Sequence, residues 1–242
     1  IRITTKEYCR IMGLPYDEPE EDEPEKTAAP EDNTRDKAGA TNPPDNQVPS
    51  VTTPPSAAKP VTPIVEQSKV TANLIKVKWN AVSGADSYRI YYGEKGKKLK
   101  KYVEVSGSKK TAKLKKLKKG KYYRIRLCAY KKADGKKNVI AASPDIYIAT
   151  KGGSYNNPAA VKPGTKTLSV KAAGKAKIKA KIKNTGKQKV KYFVQKIRYI
   201  SSDTSVAKVS KKGEVTGVSA GSCIIYCYTQ NGKSGKVKVT VR

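Results

Sequence analysis

Histidine is absent from the 242 residues, tryptophan, phenylalanine and methionine occur once each, and cysteine occurs four times. Without imidazole the chain lacks the commonest proton shuttle and the commonest nitrogen ligand for a metal. No run of 18 apolar residues occurs, so no segment is long enough to cross a bilayer as an apolar helix, and no charged-then-apolar leader opens the chain. Cys223 and Cys227 stand four apart in a strand-like run. At about 3.3 Å per residue they lie roughly 13 Å apart, beyond the roughly 7 Å reach of a disulfide. They read as small buried core residues, and with no CxxC pair in the chain no metal site is expected.

Carboxylates are scarce where folding is expected. After residue 63 there are eight: Glu66, Asp86, Glu94, Glu104, Asp134, Asp145, Asp203 and Glu214, mostly single and in turns. Acid/base or nucleophilic chemistry needs a base beside a nucleophile or a second carboxylate, so no catalytic site is expected. Asp86, Asp134 and Asp203 read as turn residues. Calcium needs clustered carboxylates and phosphate cradles need a glycine-rich signature; neither is present, so no cofactor is expected.

Lysine is what the chain has in excess. The 51 basic residues include only 8 arginines, against 20 acids, for a net charge of +31. The charge is unevenly placed: residues 1–63 carry 7 basic and 12 acidic groups, residues 64–242 carry 44 and 8. The basic character belongs to the part expected to fold.

Composition divides the chain in the same way. Thr4, Thr5, Lys6 and Glu7 have capping-box spacing and Gly13 reads as a stop, so residues 1–14 suggest a short helix ending an upstream domain. With Ile1 rather than Met in first place, the chain is expected to be a fragment or a processed product. Residues 15–63 hold 11 of the 14 prolines, an acidic cluster from Asp17 to Glu25 and few large apolar side chains, which predicts a disordered linker.

Beyond Pro63 the pattern becomes period-2 and rich in Tyr, Val, Ile and Thr, with turn signals about every 8 to 12 residues. Ile75, Val77 and Trp79 fall on one face; Tyr88, Ile90 and Tyr92 alternate likewise, as do Tyr123, Ile125, Leu127 and Ala129. Farther on, Ala176, Ile178, Ala180 and Ile182 alternate with Lys175, Lys177, Lys179, Lys181 and Lys183, which predicts one strand with a lysine face. The fold class expected is all-β, as two antiparallel sandwiches in tandem.

Two stretches resemble known families. The Trp79 strand, the run from Val82 to Tyr92, and Leu117 to Gly120 leading into Tyr123 to Ala129 are similar to a fibronectin type III domain over about residues 64–150. The resemblance implies that Trp79 is the core tryptophan and Tyr123 the corner tyrosine, whose hydroxyl bonds back to the backbone near the preceding loop. Ile197 to Asp203, Val206 to Val209, Gly213 to Val218, Ala220 to Ser222 and the closing Val237 to Val241 resemble a bacterial immunoglobulin-like domain of group 2 over about residues 158–242. Tyr199 stands where that family often has Trp, and Cys223, Ile225 and Cys227 occupy an inward stripe. Residues 151–157, with Gly152, Gly153 and Pro158 at their borders, are expected to be a hinge. Tyr88 and Leu127 complete the expected core with Trp79, Tyr123, Tyr199 and Ile225.

The lysines carry the partner question. Lys113, Lys115, Lys116 and their neighbours to Lys121 crowd one turn, and Lys175 to Lys183 form the second basic group. One reading is a solvated, soluble surface whose lysines blunt sheet edges. The other is electrostatic docking to an anionic wall polymer, a polysaccharide, a host surface protein or the chain's own acidic linker. Scarce arginine and the absence of a groove-reading helix argue against specific nucleic-acid recognition. Tyr91, Tyr122, Tyr226 and Tyr228 should point outward, as strand filler or as platforms for sugar rings. Heavy like charge argues for a monomer. The resemblances imply a non-catalytic spacer, adhesion or presentation region, secreted or on the cell surface of a Gram-positive bacterium. The alternative is a set of accessory modules behind the catalytic domain of a secreted hydrolase.

Overall fold

The structure is a computed structural model that describes residues 62–242 apart from Thr185 and Lys187. The short helix expected in residues 1–14 and nearly all of the proline-rich linker lie outside the described residues. Among the described residues there is no helix, and so none long and apolar enough to cross a membrane.

The first sandwich holds eight strands: β1 (Val65–Val70), β2 (Ile75–Trp79), β3 (Ser87–Glu94), β4 (Lys101–Ser106), β5 (Thr111–Leu114), β6 (Tyr122–Ala133), β7 (Lys136–Ala142) and β8 (Ile146–Ala149). β1, β2 and β5 form one antiparallel sheet; β4, β3, β6 and β7 form the other, with β8 also paired to β6. Period-2 alternation sends Ile75, Val77 and Trp79 from one sheet against Tyr88, Ile90, Tyr123, Ile125 and Leu127 from the other, and all of them are buried. Each large apolar side chain buried in this way contributes about 1.5–3 kcal/mol. Trp79 meets Tyr88 edge-on at 5.4 Å between ring centres, and the Tyr88 hydroxyl accepts the Val82 N–H at 2.9 Å.

The second sandwich begins with β9 (Ala160–Pro163), β10 (Thr167–Val170), β11 (Lys175–Lys177) and β12 (Ala180–Lys183). It continues through β13 (Arg198–Ser201), β14 (Ala207–Val209), β15 (Glu214–Gly217), β16 (Gly221–Tyr228) and β17 (Ser234–Val241). One sheet runs β10-β17-β16-β13; β11-β15-β14 and the pair β12-β9 make the opposite layer. β10 lies parallel to β17, the one departure from antiparallel pairing among the named strands. The chain leaves β9 at Pro163, crosses between layers, and joins β17 running in the same direction.

Two expectations are corrected. Lys175 to Lys183 keep their alternation, with Ile178 buried, yet they do not form one strand: β11 pairs with β15, while β12 pairs with β9. The Ile178 N–H bonds to Gly213 and the Lys179 carbonyl accepts from Gly164, so the chain changes sheets there. The lysine row is thereby divided between two sheets. Of the tyrosines expected to point outward, Tyr91, Tyr122 and Tyr228 are buried and Tyr226 is half-buried. The outer sheet faces are themselves covered: Tyr91 shares a small cluster with Leu99, Cys128 and Tyr130, and its hydroxyl lies 2.8 Å from that of Tyr130. Tyr122 and Tyr228 face the contact between the sandwiches.

That contact carries several hydrogen bonds between the two sandwiches. The turn after β16 places Thr229, Gln230 and Asn231 out of reach of solvent. The Gln230 carbonyl accepts the Tyr147 N–H at 2.7 Å and the Asn231 carbonyl accepts the Gln67 N–H at 2.9 Å. The Asn231 amide donates to Gln67 Oε1 at 2.8 Å and to the Pro158 carbonyl at 2.9 Å, and Lys233 reaches Glu66 at 2.8 Å. Gly232, at φ +80°, passes so near Val65 that a Cβ would stand 1.9 Å from its carbonyl oxygen, which only glycine permits. The segment expected to be a hinge is pinned as well: Asn157 is buried with its side chain bonded to both the N–H and the carbonyl of Ala149 at 2.8 Å.

Candidate polyanion site

A hollow of about 660 Å³ opens on the first sandwich between the β3–β4 and β5–β6 loops. One rim carries Lys97, Lys98, Lys100 and Lys101; the other carries Lys115, Lys116 and Lys118. Tyr92, Leu117 and Tyr123 supply an apolar floor.

Local backbone chemistry holds both rims. The Tyr123 hydroxyl accepts the Lys118 N–H at 2.8 Å, reaching back from the start of β6 to the loop before it. Leu117 is buried and its N–H bonds to the Asn73 carbonyl at 3.0 Å, so the lysines flanking it are turned to solvent. Lys116 takes the left-handed conformation at φ 57°, which costs a residue with a Cβ roughly 1–2 kcal/mol. On the opposite rim, Leu99 is buried as an anchor and the Lys95 N–H bonds to the Tyr122 carbonyl at 2.7 Å. Gly93 lets the loop fold back, since a Cβ there would meet the Lys98 carbonyl oxygen at 2.8 Å.

The electrostatics are one-sided. Glu94 is the one acid lining the hollow, 3.9 Å from Lys97, and the other six lysines have no ion-pair partner among the described residues. Like charges this close raise the local potential and draw in anions, because a concave, low-dielectric wall focuses the field. With acceptor-free lysines and apolar rings, the hollow can bind charge and cover a ring face.

Of the lysines singled out by sequence, Lys115 and Lys116 line this hollow, whereas Lys113 lies on β5 opposite Lys76. Lys175, Lys177, Lys179, Lys181 and Lys183 are exposed on the second sandwich; Lys175 sits 3.4 Å from Glu214, and Lys181 pairs in register with Lys162. The β3–β4 lysines were missed. Their signal was the Gly93 to Gly96 break, which marks a loop but does not say what it faces. Among the core residues, Trp79, Tyr88, Tyr123, Leu127 and Ile225 are buried, and Tyr199 is partly buried with its hydroxyl donating to the Ile178 carbonyl at 3.4 Å. Cys128, Cys223 and Cys227 are buried and form no disulfide among the described residues, and burial pushes Cys227 up to about 11. No cluster of three possible metal ligands occurs among the described residues.

The model of the fibronectin type III domain matches residues 59–141, and that of the bacterial Ig-like domain (group 2) matches residues 189–241. The chain carries these two domains in tandem. Among solved structures it is similar to the fn3 domain of human contactin 1, at 22% identity, covering 47% of this chain and 98% of that one with a TM-score of 0.34. No curated protein matches. The lysine-ringed hollow therefore belongs to the fibronectin type III domain. The bacterial Ig-like match begins at residue 189, although β9 to β12 pack into the same sandwich. Both families are typical of extracellular or surface proteins and are typically non-catalytic modules.

Proposed function

We propose that the tandem is a spacer and presentation segment of a secreted or cell-surface protein, docked by its lysine-ringed hollow to an anionic surface polymer. The observation that carries this reading is the seven lysines gathered from two loops around one apolar-floored hollow with a single acid. A purely solubilising surface would scatter charge of both signs. Here, one sign is concentrated in a concavity. Lysine suits a polymer, because a mobile ammonium can follow charges spaced along a strand without needing bidentate geometry.

The test is binding of polygalacturonate, a linear acidic polysaccharide, measured calorimetrically at several salt concentrations. The logarithm of the affinity should fall linearly with the logarithm of salt. Replacing Lys115, Lys116 and Lys118 by Gln should weaken binding and reduce that slope by about one unit per lysine that contacts a charge. A slope unchanged by the triple substitution would remove the hollow from the account.

A further inference from the structure

We infer that the polyanion site does not end at the hollow but crosses the junction between the domains, so that one acidic polysaccharide strand touches both and stiffens the pair. This inference rests on the hollow's being a polyanion site.

Lys97 and Lys98 are shared with a second hollow of about 310 Å³, which Lys95, Arg124 and Tyr147 also line. The basic surface thus continues from the β5–β6 loop, over the β3–β4 loop, to β8 at the domain junction. There Phe193, from the bacterial Ig-like domain, inserts between Tyr122 and Tyr147 at 4.8 and 5.6 Å between ring centres. The Lys95 ammonium lies 4.8 Å above the Phe193 ring, and Lys191 of the second domain lies 5.7 Å above Tyr155, itself 41% exposed. Cations resting on aromatic faces are held in place yet keep their charge. The acids along this path are already engaged: Glu94 with Lys97, and Asp145 with Arg126 at 2.6 Å and Arg124 at 3.9 Å. Two lysines set over ring faces, one half-buried at Phe193 and one exposed at Tyr155, suit a strand of acidic sugars, whose apolar ring faces cover the aromatics while their carboxylates meet the ammonium groups. Arg124 is the only guanidinium among the residues lining the two hollows, which disfavours bidentate phosphate reading.

A ligand that touches both domains binds the docked pair more tightly than an undocked one, and so must stabilise the docking. Two oligogalacturonates separate the possibilities: a short one that fills only the first hollow, and one several times longer. The long fragment should bind more tightly, and Lys191→Gln should weaken it roughly 3-fold while leaving the short one unchanged. The long fragment alone should slow amide exchange at Gln67 and Tyr147, whose N–H groups bond across the junction. If Lys191→Gln affects neither fragment and exchange is unmoved, the site is confined to the first hollow and this inference fails while the proposed function stands. If the Lys115, Lys116 and Lys118 substitutions spare both fragments, the proposed function itself fails. Single-stranded DNA of matched charge binding more tightly than the long fragment would overturn the polysaccharide assignment.

Discussion

Replacing Asn231 by alanine should loosen the two domains from each other without melting either. The Asn231 side chain is fully buried; it accepts the Thr229 hydroxyl at 2.6 Å and donates to Gln67 Oε1 and to the Pro158 carbonyl at 2.8 and 2.9 Å. Truncation leaves the buried Pro158 carbonyl without its side-chain donor, at a cost of about 1–3 kcal/mol, whereas the half-exposed Gln67 can turn to water. The two backbone bonds across the junction, from the Gln67 and Tyr147 N–H groups, then open more often. A loss of about 2 kcal/mol in local opening corresponds to roughly 30-fold faster exchange at those amides. The assay is native-state hydrogen exchange read residue by residue, with Ile125 and Ile225 as core references because both are fully buried. Their amides should keep their protection in the variant. If Gln67 and Tyr147 exchange as quickly as loop amides in the unaltered protein, or if the substitution slows nothing and speeds nothing, the junction is not held by this turn.

Two further outcomes follow from the same geometry. Lys116→Gly relieves the left-handed backbone at φ 57° and should stabilise the first domain by about 1 kcal/mol, read as a higher urea midpoint, while weakening polygalacturonate binding; a variant that is destabilised would show that the Lys116 side chain packs for stability. Burial raises the Cys227 thiol to about 11 and pushes Tyr122 and Tyr228 upward, so in each case the neutral form is favoured by the fold. Stability from these groups is fully present below their unfolded values, about 8.5 for Cys and about 10 for Tyr, and is lost as pH rises through the folded ones. Urea midpoints should therefore decline from about pH 9 upward, and iodoacetamide should leave Cys227 unmodified at pH 8 until the chain unfolds; prompt native-state alkylation would contradict the burial.

Alternation alone determined the layers. The stripes of Ile75, Val77 and Trp79, and of Tyr123, Ile125 and Leu127, are local facts, because a strand sends successive side chains to opposite faces whatever surrounds it. The same rule kept every lysine from Lys175 to Lys183 in solvent. It could not tell that Ile178 marks a change of sheet, because the break lies in which backbone groups find partners and not in the side-chain period. Nor could it place Tyr91, Tyr122 and Tyr228, whose burial depends on what covers the outer face of a sheet.

The candidate site divides along the same line. Charge density and its concentration beyond residue 63 were written in the sequence, since they are sums over residues. The hollow joins lysines from loops about twenty residues apart, and the junction joins Gln67 to Asn231, 164 positions later. Such pairings arise when two sandwiches close and dock, and hydrophobic periodicity carries no record of them. Local pattern settled which side of each strand meets water; only the packed chain settled which lysines became neighbours.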